Sequence, residues 1–266
     1  MSIFSRNQKI LKLHLNGEIT SKETKFSLST TSITKIKEHL LEVKQTNSNN
    51  YQGILLKINS PGGAAATSEE LARLILKLRK EVPIVSSISD YACSGAYMIA
   101  AASNYIFANT MSWTGSIGVI MTLPNYQELS KMLGVSVKTI KSGKMKDLGN
   151  PFREMTSEEE QYLEMLVRNA HTEFVDFIKQ VRPRVENLIE LSDGRVLDAK
   201  TALENNFIDA LGTEDDALNY LITEILHGDA NDFSIVDTAA KPNFLRKLLD
   251  MNSPITIKLE LPSKFF

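Results

Sequence analysis

Apolar residues recur along the chain in two rhythms. Residues 9–15 alternate, with Leu11, Leu13 and Leu15 on one side and Lys12 and His14 on the other, which predicts a strand. Residues 32–43 carry Ile33, Ile36, Leu40 and Val43 at helical spacing. The run "GILLKINSPGG" (53–63) predicts a buried strand that breaks at a Pro-Gly-Gly turn. Thr67 followed by Glu70 has the spacing of a capping box before Leu71, Leu74, Ile75 and Leu78. "PIVSSIS" (83–89) predicts the next strand, and "SDYACSGAYMIAAAS" (89–103) opens another helix. "YIFAN", "GSIGVIM" and "VSVKTIKSG" (135–143) predict short strands, with a helix over 124–133 between the last two. A second capping box, Thr156 with Glu159, starts a long helix to about Val181, and shorter helices are expected over 199–205 and 215–226.

Strands alternating with helices imply an α/β fold with largely parallel pairing. The pattern fades near residue 226. We therefore expect a single catalytic domain over 1–226 and a C-terminal extension over 227–266, docked on a neighbour or mobile. In such folds ligands gather where strands end and helices begin. Two glycine turns occupy such points, Gly62-Gly63 and Ser94-Gly95.

Composition narrows the partners. A net charge of −2 argues against a nucleic-acid binder that works by phosphate neutralisation. The single cysteine, Cys93, excludes an intrachain disulfide framework and a cysteine-based zinc site. It is expected to pack as a small hydrophobe. No metal and no cofactor is expected. No signal peptide and no run of about 18 apolar residues is visible, so a cytoplasmic or peripheral membrane location is expected.

A serine hydroxyl needs a base before it is a useful nucleophile. Ser94 lies where a strand gives way to a helix, among the small residues Ala92, Gly95 and Ala96. The plain alternative is a helix N-cap. The four histidines, His14, His39, His171 and His227, all lie outside the glycine turns and read as structural or surface groups. Lysine can serve as the base once its ammonium is desolvated. The segment "KTIKSGKMKDLGNPFREMT" offers Lys138, Lys141, Lys144 and Lys146, the last followed by Asp147 and turn residues. "NSPGG" supplies backbone donors for an oxyanion, with Gly63 free of a side chain.

"INSPGG", "ACSGAYMIA", "TGSIGVIM", "KSGKMKDLGNPFREMT" and "DGRVLDAKTALENNFIDALG" occur in one order over residues 11–217. Together they resemble the signal peptide peptidase A (SppA) family of serine proteases. The resemblance implies the Clp protease/crotonase-like fold of repeated β-β-α units. It implies Ser94 as nucleophile, Lys146 as general base, Ser116 as the group that orients the lysine, and Gly63 as an oxyanion donor. The Gly95 N–H, beside the nucleophile, is expected to be the second donor. It also implies peptide substrates, apolar and extended like remnant signal peptides. The expected assembly is a homo-oligomeric ring, with an octamer among its sizes, in which neighbours complete each site. Two local features depart from the family: Ala96 stands where the second glycine is usual, and Cys93 where alanine is common. The family's N-terminal membrane anchor is also not seen before the first strand.

Other readings fit less well. Ala92-Cys93-Ser94-Gly95-Ala96 lacks both outer glycines of the α/β-hydrolase elbow. A Clp-type Ser-His-Asp enzyme requires a histidine that 110–130 does not contain. A crotonase-like acyl-CoA enzyme requires an acidic group at the site. A catalytically silent ring scaffold does not account for Ser94, Lys146 and Ser116 together.

Overall fold

The computed structural model describes residues 8–20, 33–45 and 51–239. Its strands are β1 (Gln8–Asn16), β2 (Gly53–Ser60), β3 (Ile84–Cys93), β4 (Tyr105–Ala108), β5 (Trp113–Gly115), β6 (Val196–Asp198), β7 (Ala210–Leu211) and β8 (Phe233–Asp237). Its α-helices are α1 (Ile33–Gln45), α2 (Ala65–Leu78), α3 (Gly95–Ala101), α4 (Gln127–Met132), α5 (Ser157–Val181), α6 (Leu188–Leu191), α7 (Ala199–Glu204) and α8 (Glu214–Tyr220). The sheet runs β6-β5-β3-β2-β1-β8, with β4 also on β3 and β7 on β4. All pairs are parallel except β5 with β6.

Alternation along β1 sorts its side chains to two cores. Leu11, Leu13 and Leu15 join Ile54, Leu56 and Ile58 under α1, α2 and α3. Ile10 joins Leu55, Val85 and Phe107 beneath Ala217 of α8 and Leu221. Farther along, the second face turns polar at Lys12, His14 and Lys57. Glu214, in the first turn of α8, pairs with Lys12 and with Lys57 (2.6 Å), while Asp237 of β8 meets Lys12 (3.1 Å) and His14 (2.7 Å). β8 thus belongs to the sheet, although it falls in the stretch expected as an extension beyond 226. The apolar tail "ITIKLELPSKFF" lies outside the described residues.

The C-termini of α2, α3, α5 and α7 converge on one corner. Arg79, the C-cap of α2, donates to the carbonyls of Ala102 (3.1 Å) and Ser103 (2.7 Å). Arg182, the C-cap of α5, donates to Asn206 O (3.0 Å) and forks onto Asp209 (2.9 Å to each oxygen). Both arginines meet carbonyls that helix ends leave unpaired and oppose the negative ends of the helix dipoles.

Three local expectations are corrected. α2 starts at Ala65 with Ala64 as a cap that makes no side-chain bond. Thr67 lies inside the first turn, because the Gly62-Gly63 turn already commits the chain to helix. The second strand expected after β5 and the strand over 135–143 are absent: 116–126 and 135–143 carry no strand. Among the described residues no neighbouring strand pairs with them; Ile117 is buried in the core, and from Ile120 onward the chain runs out as an exposed arm. Along it, Ile120 and Ile140 are each 90% exposed and Met132 84%. The apolar residues Val135, Val137 and Ile140 therefore have no cover among the described residues.

Candidate active site

β3 carries an irregularity that sets up the site. Its register with β2 runs Ile54↔Ile84 to Ile58↔Ile88 and then jumps to Ser60↔Ala92. On its other edge β3 passes from β4 to β5 at this end, with Cys93 opposite Gly115. Ser94 follows at once, with φ 53 and ψ −125. A non-glycine residue in that region is strained, and such strain concentrates at functional turns. Its N–H donates to Gly115 O (2.9 Å) and its carbonyl accepts from Met98 N–H (3.1 Å). Its hydroxyl caps nothing. Ser94 thus occupies the cap position without making the side-chain cap bond, and its Oγ has no hydrogen-bond partner among the described residues.

Gly63 and Gly95 line the same cavity as Ser94. Gly63 sits at φ 147, where an added Cβ would meet Ile19 O at 2.1 Å. Ile19 holds the turn from outside, its N–H donating to Gly62 O (2.7 Å) and its carbonyl accepting from Ala64 N–H (2.8 Å). A Cβ on Gly95 would lie 2.2 Å from Ser68 Oγ and 3.7 Å from Gly63 N. The two glycine nitrogens therefore lie close together. Neither N–H has a hydrogen-bond partner among the described residues, as a ready-made anion cradle requires.

The parallel ladder brings Ser116 level with Ser94, one step past the Cys93–Gly115 pair. Ser116 also has positive φ, at 50, and its N–H donates to Arg195 O (2.9 Å). Burial pushes the neighbouring Cys93 thiol up, which keeps it protonated and inert.

A cavity of about 540 Å³ opens at Ser94 and Gly95, lined on its apolar side by Met98, Val119, Ile120, Phe174 and Phe177. Glu69 and Glu173 also line it, with Glu69 paired to Arg73 at 2.7 Å. No cluster suited to a metal occurs among the described residues.

Lys146 does not line this cavity. It is exposed, in the turns that precede α5. α5 explains the separation. Phe174 and Phe177 face the cavity, whereas Glu159, in the first turn, holds the Lys146 segment through Arg153. Glu159 and Phe174 are fifteen residues apart on one helix, roughly 22 Å along its axis. Between those ends the arm residues Ile120, Met121 and Leu123 line a second, shallower cavity together with Leu163 and Val167 of α5.

The lysines of this segment differ in their surroundings. Lys141 pairs with Asp147, and Lys144 with Glu158 (2.6 Å). Lys138 and Lys146 have no ion-pair partner among the described residues. Arg153 and then Lys141 hold the Asp147 carboxyl well below the usual carboxylate range. Arg153, Ser68 and Ile19 were not legible as parts of the site. For Arg153 a signal existed: Asp147 and Glu159 each lie six residues away, across a segment that ends in a capping box.

Residues 77–225 match peptidase family S49. A protein of Methanocaldococcus jannaschii, named for a protease, is 42% identical over 171 residues, 64% of this chain and 55% of its own length. An Enterococcus faecium protein, named for signal peptide peptidase SppA, is 36% identical over 222 residues, 82% of this chain and 64% of its own length. The chain thus spans less than two thirds of both relatives. Among solved structures, the 1510-N membrane-bound stomatin-specific protease, a mutant with a substrate peptide, aligns with TM-score 0.51 at 15% identity, covering 92% of this chain and 98% of the other. That likeness shows a shared α/β fold. By the match across its central half and by these relatives, the chain belongs to peptidase family S49, the SppA family of serine proteases.

Proposed function

We propose that the chain is a serine endopeptidase whose nucleophile, Ser94, and general base, Lys146, come from two neighbouring copies. The observation that carries this reading is the free Ser94 hydroxyl on a strained turn, beside two unpaired backbone N–H groups at the mouth of an apolar cavity. The exposed, unpaired Lys146 and the apolar arm beside it support a base presented outward to a second copy. A closed ring satisfies both surfaces at every subunit.

The chemistry follows the logic of serine catalysis. Ser94 Oγ attacks the scissile carbonyl carbon while its proton passes to Lys146 Nζ. The carbonyl oxygen, now anionic, accepts from the Gly63 and Gly95 N–H groups. The C–N bond then breaks, and Lys146 gives its proton to the leaving amine. Water attacks the Ser94 ester, passing a proton to Lys146, and that proton returns to Ser94 Oγ as the acid leaves. Ser116 accepts a hydrogen bond from the lysine amine and keeps it aimed. The apolar lining at Met98, Phe174 and Phe177 suits apolar, extended peptides such as remnant signal peptides.

The test is complementation between two dead variants. Ser94→Ala and Lys146→Ala should each abolish cleavage of an apolar fluorogenic peptide, and Lys146→Ala should abolish fluorophosphonate labelling of Ser94. Mixed and reassembled one to one, they should regain about one quarter of wild-type activity, the share of junctions that join an intact serine to an intact lysine. Near-normal turnover of Lys146→Ala would refute the lysine base. A mixture with no recovery, from two variants that assemble normally, would refute the shared site. Absence of label on wild-type Ser94 would favour a scaffold or a crotonase-like enzyme.

A further inference from the structure

The backbone on both sides of Lys146 is held by successive turns. Lys146 N–H donates to Gly143 O (3.1 Å), Leu148 N–H to Met145 O (3.2 Å) and Asn150 N–H to Asp147 O (3.0 Å). Short turns alone fix a segment weakly, and this one is anchored through the side chain of its next residue. Arg153 forks onto Asp147, with Nε 2.9 Å from Oδ2 and Nη2 3.0 Å from Oδ1, and Nη2 also reaches the Asp147 carbonyl (3.3 Å). The same guanidinium donates through Nη1 to Glu159 Oε2 (2.8 Å). Glu159 is 3% exposed and accepts from Thr156 N–H (2.9 Å), completing the capping box of α5. A planar five-donor fork suits this bridging, whereas an ammonium does not.

We propose that Arg153 is a positioning residue that aims the Lys146 amine by locking Asp147 to the first turn of α5. This rests on Lys146 being the general base. A lysine amine rides on a flexible four-carbon stem, so its direction is only as well defined as the backbone that carries it. A clamp on the adjacent residue narrows that direction without touching the amine. Displacement of a reacting group by about 1 Å lowers rates on the order of a hundredfold. Lys141 and Arg153 both meet Asp147, so that carboxylate is engaged by other cations and not by Lys146.

The experiment compares Arg153→Gln, Arg153→Lys and Asp147→Asn in the full chain, with an apolar fluorogenic peptide and the native mass of each assembly. Asp147→Asn leaves the Arg153–Glu159 contact in place, so it decides the matter where loss of Arg153 impairs folding. We expect kcat to fall roughly 30- to 100-fold with KM within about twofold, at unchanged native mass. Arg153→Lys should recover little of the loss, for want of the fork. Wild-type kcat in Arg153→Gln and Asp147→Asn overturns the proposal. So does a loss of kcat that in both variants tracks loss of assembly, which would make the clamp structural only. Turnover surviving in Lys146→Ala would remove the general base itself. A dead Lys146→Ala beside a normal Arg153→Gln would remove the positioning role alone.

Discussion

Gly95→Ala is the sharpest probe of the oxyanion arrangement. The added Cβ would stand 2.2 Å from Ser68 Oγ and 2.8 Å from Ser68 Cβ. Ordinary contact begins at 3.4 Å, so either Ser68 or the first turn of α3 must yield by about 1 Å. Ser68 is buried in α2 and its hydroxyl donates to Ala64 O (3.0 Å). Rotation of Ser68 moves its Oγ but not its Cβ, so the start of α3 has to shift as well. That shift carries the Gly95 N–H away from its companion at Gly63. Overpacking of this kind lowers stability by about 1–3 kcal/mol. Loss of one oxyanion donor lowers kcat by roughly 10²–10³, or about 2.7–4 kcal/mol. The assay is peptide turnover alongside urea unfolding, for Gly95→Ala, Ser68→Gly and the pair. Ser68→Gly removes both offending atoms and alone should cost under about 1 kcal/mol of helix stability. In the pair it should return at least about tenfold of the lost kcat, because the space is restored. Turnover of Gly95→Ala within about threefold of wild type would refute the role of this N–H. A double variant as slow as the single one would refute the steric explanation.

Further outcomes follow from other contacts. Tyr97 is fully buried and its hydroxyl donates to Phe207 O (3.0 Å); Tyr97→Phe leaves that carbonyl unpaired and should lower the unfolding free energy by about 1–3 kcal/mol in urea titrations. The Glu159 carboxyl is drawn from 4.5 to about 2, first by Arg153 and then by the Thr156 N–H. Its contribution is therefore complete above pH 4.5 and is lost as pH falls toward 2. The gap in urea midpoint between wild type and Arg153→Gln should narrow over that interval, the part due to Asp147 persisting to lower pH, and a gap that does not narrow between pH 4.5 and 2 would contradict it. Ile120 and Ile140 stand 90% exposed on the arm; Ile120→Glu with Ile140→Glu should shift sedimentation toward single chains and remove peptide cleavage together, at an unchanged far-UV spectrum.

Much of this was legible in the chain because local physics agreed with the fold. Alternation in β1, the Thr156–Glu159 box and the Gly62-Gly63 turn each favour a conformation that the structure adopts. Thr67 and Glu70 show the limit of such motifs. Their spacing is right, yet the helix starts earlier because Ile19, far back in sequence, seizes the turn before them. The alternation over 135–143 signals burial without saying by which chain. The Arg153 clamp was hidden for another reason. Its members are ordinary surface residue types, and only the fold of the segment back onto α5 makes one charge network of them.

The long helix α5 touches the cavity with one end and carries the clamp at the other. On the proposed division of labour, no polypeptide brings its own alcohol and amine together. A newly made or diluted copy is then a harmless zymogen without a propeptide, and concentration becomes the trigger. Inserting one helical turn between Glu159 and Phe174 would detune the whole array while leaving each separate part intact.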